Sequence, residues 1–192
     1  MIHRAVTISL LFFAISPAMI ATPPGYASRT EKVKTGFARL KANPNDPAVQ
    51  ALYIKAFPRD YQEFLALFGS GGSLADGYEC DYIFAISSLQ AGHSAQVGRL
   101  LVQLSKDAED HQRAPSCFQH VVATYGSQYT RPFAAFIHKL SPREREQLIN
   151  FLADADVVTY PHYQRIIRNL QQLNQGELAK QFQQAHAARS HK

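Results

Sequence analysis

His111, Cys117 and His120 are the residues whose types and nearness first suggest chemistry, with Asp107, Glu109 and Asp110 close by. Imidazole, thiolate and carboxylate are the donors that zinc takes. Structural zinc sites draw them from pairs at tight, recurrent spacings, and the gaps of five and two residues here match no such pattern. His120 follows Cys117 by three residues, on one helical face, and reads as a partly buried structural histidine. No metal and no cofactor is expected. Nucleophilic catalysis also lacks its frame. There is no G-x-S-x-G elbow, and a Cys–His pair on Cys117 would need a free thiol of low pKa. Asp154/Asp156, Glu144/Glu146 and Glu79/Asp81 stand two residues apart, so the members of each pair point to different helix faces. Gly69-Ser70-Gly71-Gly72-Ser73 invites a phosphate, but the lysine and the strand of a P-loop are missing, and a flexible linker is expected. No catalytic residue is assigned. His93, His120, His138 and His162 are the bases that an enzyme of this sequence would use.

The cysteines take their meaning from the start of the chain. Met1-Ile2-His3-Arg4 is short and positively charged, Ala5 to Ile15 is uncharged and mostly apolar, and small residues follow at Ala18 and Ala21. That order is a secretory signal peptide over residues 1–21, cut after Ala21, with Ala18 as the rival position. The apolar run is shorter than the about 20 residues of a membrane span, so no integral membrane segment is expected after cleavage. In an oxidising compartment two cysteines pair, and Cys80–Cys117 would close a loop contributing roughly 3–4 kcal/mol. A periplasmic or secreted protein is the expectation.

Two aromatic stretches could present a surface. Ala56 to Gly69 carries Tyr61, Phe64 and Phe68, and Tyr160-Pro161-His162-Tyr163 sets polar tips on apolar bodies. Both are candidate partner-binding faces, because aromatic residues are enriched at interface hot spots, although inward packing is the favoured explanation of the first and the second would equally suit capping a core. The segment from Phe57 to Gly69 reads F-P-x4-E-F-x3-F-G. In this it resembles small exported bacterial helical proteins of unknown function, a resemblance that implies no activity.

The elements that must position these residues are helices. Ser28-Arg29-Thr30-Glu31 and Ser141-Pro142-Arg143-Glu144 are capping boxes. Asp46-Pro47 and Pro58 also open helices, while Gly69, Gly92 and Gly176 break them. Apolar residues recur at helical spacing from Val33 to Phe182, with no convincing period-two run. The spacing predicts an all-α single domain of about nine short helices, an irregular bundle or stacked pairs, with one disulfide. Its organisation is a signal peptide at 1–21, a flexible start at 22–27, a helical domain at 28–185 and a basic flexible tail at 186–192.

The chain of 192 residues is 46% hydrophobic, enough for an ordinary core and against disorder. Removing Arg4 with the leader leaves 19 of the 20 Lys and Arg against 15 Asp and Glu. The surplus is scattered along the sequence, with an unrelieved bias only at Lys180, His186, Arg189, His191 and Lys192, so no nucleic-acid partner is expected. The leading expectation is an exported module that binds another protein, of the immunity-protein or toxin-inhibitor type. The alternatives are a small periplasmic hydrolase and a structural envelope component.

Overall fold

The computed structural model describes residues 24–108 and 114–190, omitting the side chains of 24–27, Gln90 and Ser190. The leader at 1–21, His111 and the end of the tail lie outside the described residues. Ten helices follow one another: α1 (Pro24–Ala42), α2 (Pro47–Ala56), α3 (Tyr61–Phe68), α4 (Glu79–Ser88), α5 (Gln90–Ser105), α6 (Ser116–Gln128), α7 (Thr130–Ile137), α8 (Pro142–Ala153), α9 (Tyr160–Gln172) and α10 (Gly176–Ser190). No strand occurs among the described residues. The fold is all-α, as the periodicity predicts.

Several boundaries follow from the caps. Asp46 accepts from the amides of Ala48 and Val49, and Pro47 occupies the first turn of α2. Ser141 and Glu144 form the complete reciprocal capping box at α8. The box expected at Ser28–Glu31 does not start a helix, because α1 already runs from Pro24. Its residues reach sideways instead: Arg29 pairs with Glu63 of α3 at 2.6 Å, and the hydroxyls of Thr30 and Ser73 lie 2.7 Å apart. Likewise α3 starts after Pro58, at Tyr61, where Asp60 accepts from the Glu63 amide at 2.8 Å. The break expected near Gly92 is a kink inside α5 at His93. A further break at Tyr129 separates α6 from α7, where Pro132 could not have continued an α6 ladder.

α6 is the central helix. Cys117, Phe118, Gln119, Val121, Val122, Ala123, Tyr125, Gly126 and Ser127 are all buried, so the helix is enclosed except along the Ser116, His120, Thr124 and Gln128 stripe. It packs against α4, α5, α7, α8 and α9, while α1 pairs with α2 and α10 covers α8 and α9. Two glycines let neighbouring groups approach closely. A methyl at Gly98 would meet the Tyr125 hydroxyl at 1.9 Å, and one at Gly126 would meet Phe133 and Ile166 below 3 Å.

The glycine segment after α3 is pinned. The amides of Ser73 and Leu74 donate to the carbonyls of Ala66 and Leu67 at 2.9 and 2.7 Å, and Leu74 is fully buried. Gly71 and Gly77 supply its two positive φ angles, 78° and 89°. This replaces the linker expected there. At the other end of the chain α10 continues to Ser190, so residues 186–190 of the expected tail are helical, and Arg189 pairs with Asp154 at 2.8 Å.

Candidate functional site

Cys80 of α4 and Cys117 of α6 form the disulfide, with Cα atoms 5.8 Å apart. One turn further along each helix stand Phe84 and His120, so the bridge sets the register that brings them together. Their rings meet edge to face at 6.2 Å. Phe84 points away from the core and is half exposed; His120 is half buried beneath it.

The other wall is the turn between α8 and α9. Asp156 accepts from the Thr159 amide at 2.7 Å, and its own carbonyl accepts from the Tyr160 amide at 2.8 Å. These bonds curl the chain so that Thr159 is buried, with its hydroxyl 3.5 Å from His120 Nδ1. The two residues before it are turned out, Val157 to 90% exposure and Val158 to 67%. Bonds from the Thr159 amide and hydroxyl hold the Asp156 carboxyl below its ordinary pKa; burial opposes them, and the Val158 amide and His120 assist.

His162, in the first turn of α9, completes the cluster. Its ring stands perpendicular to that of His120, with centroids 5.2 Å apart. The Ser127 hydroxyl donates to the Thr124 carbonyl at 2.9 Å. His162 Nδ1, 3.0 Å from the same hydroxyl, is therefore the donor, which leaves Nε2 as the lone-pair nitrogen of the neutral ring. Burial, then His120, then Arg165 lower the His162 pKa from its ordinary 6.5.

This arrangement does not assemble a nucleophile. Ser127 is buried and its hydroxyl is engaged by a backbone carbonyl. Asp156 is bonded to Thr159 rather than orienting a histidine. The two grooves flanking α2, of about 450 and 630 Å³, contain neither histidine. Of the other candidate bases, His93 Nε2 meets Gln50 at 3.1 Å and His138 Nε2 meets Gln175 at 2.8 Å. Only His120 and His162 come together. No group of three or more metal-ligating side chains occurs among the described residues.

The aromatic faces read from the sequence divide. Tyr61, Phe64 and Phe68 are between 0% and 2% exposed. Phe64 packs on Phe118 at 4.3 Å and Phe68 on Phe57 at 5.4 Å, so this stretch is core and not a contact surface. Tyr163 is also buried, its hydroxyl donating to the Phe182 carbonyl at 2.5 Å, and it leaves the second face for the same reason. Tyr160 and His162 remain: Tyr160 is exposed at its margin, with its ring 4.9 Å from that of His186. Phe84, Val157 and Val158 escaped the sequence reading. Phe84 lies off the Tyr82–Ile83–Ile86–Leu89 stripe of α4, and a Val-Val pair between two helices with acidic residues just before it was the signal that could have drawn attention.

Comparison with family models, with curated proteins and with solved structures found no match. The class is thus defined by the fold itself, a disulfide-linked single domain of helices. No described helix is long and apolar enough to cross a membrane.

Proposed function

We propose that the chain is an exported, periplasmic module that binds another protein, of the immunity or inhibitor type, through the surface formed by Val157, Val158, Phe84 and Tyr160. The observation carrying this reading is the outward Val157–Val158 pair. The Asp156–Thr159 bond fixes the turn from which it projects, and the half-exposed Phe84 packs on His120, whose Nδ1 lies 3.5 Å from the Thr159 hydroxyl. A side chain of this size gains about 1.5–3 kcal/mol on full burial, so a partner covering both valines and Phe84 would have a substantial apolar anchor. Export is supported by the leader-like order of residues 1–21 and by a disulfide that suits an oxidising compartment.

The test is capture of the partner by wild-type protein and by the double variant Val157→Asp/Val158→Asp. The reading expects one stoichiometric protein from the native envelope fraction with the wild type, and its loss with the folded double variant. Equal capture by both, or none by either, counts against it.

A further inference from the structure

Away from that surface, α2 and α5 diverge over a groove of about 450 Å³ whose charged lining is of one sign. Lys55, Arg59 and Arg99 stand around it, and no acidic residue lines it. The carboxylates nearest in sequence, Asp60 and Glu63, are already engaged: Asp60 accepts the Glu63 amide at 2.8 Å, while one oxygen of Glu63 lies 2.6 Å from Arg29 and the other accepts the main-chain amide of Arg59 at 2.8 Å. The Arg59 guanidinium donates to the Lys55 carbonyl at 3.1 Å, which leaves its remaining donors for a ligand. Arg99 lies over the Phe136 ring at 6.0 Å. None of the three cations is paired with a carboxylate among the described residues. Three unneutralised cations round one concavity repel each other, and an anionic occupant removes that repulsion.

The floor is narrow, made of the exposed Ala51 and the edges of Ile54 and Leu100, which are 5% and 4% exposed, and its α5 wall repeats at helical spacing through Gln96, Arg99, Leu100 and Gln103. At 1.5 Å per residue that wall is about 10 Å long, two turns of helix. We infer that the groove between α2 and α5 binds an acidic amphipathic helical segment of a partner protein, its carboxylates on Arg59, Arg99 and Lys55 and its apolar face on Ala51 and the exposed edges of Ile54 and Leu100. A recessed groove with an apolar floor matches such a helix, the helix-in-groove mode. It is poorly shaped for a flat bilayer of anionic headgroups. Guanidinium forks bind carboxylates through paired hydrogen bonds, so the two arginines supply the orientation. The site stands on its own residues and does not require the Val157 surface.

The probe is a fluorescein-labelled peptide of about 14 residues, two heptads with Leu at the inward positions and Glu elsewhere, titrated by anisotropy with the disulfide-intact protein. Saturable binding is expected, about tenfold weaker for Arg99→Glu and for Arg59→Glu, and weakened by raising salt from about 50 to about 500 mM. Binding unchanged in Val157→Asp/Val158→Asp is expected too, which separates this site from the one above. Arg59→Gln and Arg99→Gln supply the same comparison if either reversal disturbs folding, as circular dichroism would reveal. No saturable binding, or binding indifferent to both arginines, overturns the inference. So does loss in the valine variant, or a preference for inorganic phosphate or phosphatidylglycerol vesicles that Arg99→Glu abolishes.

Discussion

Single residues show where packing or polarity decides the outcome. The Tyr125 hydroxyl is buried against Gly98 with no hydrogen-bond partner among the described residues, and burial pushes its pKa up to about 12. The Tyr163 hydroxyl is buried with one. Tyr125→Phe should therefore change stability by less than about 0.5 kcal/mol, whereas Tyr163→Phe should cost about 1 kcal/mol, both read by urea unfolding. Gly98→Ala should cost about 1–3 kcal/mol, because its new methyl collides with a ring held inside α6's packing. Glu144 gives a pH dependence. Lys106, then the amide and hydroxyl of Ser141, lower its pKa from 4.5 to about 2. A depressed carboxylate pKa means that its stabilisation is complete above about 4.5 and is lost as pH falls toward about 2. The gap in stability between wild type and Glu144→Gln should accordingly shrink through that window. A gap that widens on acidification would contradict the ion pair.

At the scale of elements, the bridge between α4 and α6 both closes a loop and sets a register. Cys80→Ser/Cys117→Ser should lose roughly 3–4 kcal/mol and weaken the Phe84–His120 contact. That second loss has its own reading. His162 should titrate below 6.5 in proton NMR, and His120→Gln should raise its midpoint only part of the way back, because burial, the larger cause, remains. A midpoint at or above 6.5 in the wild type would contradict the half-buried His120–His162 pair. Much of this scale was legible in the sequence: the helical class, the disulfide, the box at Ser141 and the start at Asp46. Where legibility failed, a long-range contact had taken over a local signal. Arg29 and Thr30 serve α3 and the glycine segment instead of a cap, and Leu74 draws that segment into the core.

Faces belong to the whole molecule, and they were the least legible. Periodicity marks the stripe that turns inward but not which outward residues converge. The aromatic run at Tyr61–Phe68 was open to both readings and is core, while Phe84 and Thr159, the residue after the exposed Val157–Val158 pair, come from distant segments to meet at His120. Charge behaves likewise. Lys55, Arg59 and Arg99 are scattered in sequence, yet the fold collects them in one groove, while Arg189 of the basic C-terminal segment is paired with Asp154. Val157→Asp/Val158→Asp should leave the unfolding midpoint nearly unchanged, because highly exposed side chains contribute little to the core. The most direct measurement of the proposed binding role is photo-cross-linking in the native envelope, with Val158 replaced by benzoyl-phenylalanine. The expected result is one discrete cross-linked species containing a single partner protein, absent when the same probe replaces the exposed Gln172 at the far end of α9. No cross-link from a folded, oxidised protein, or the same products from both positions, would contradict it.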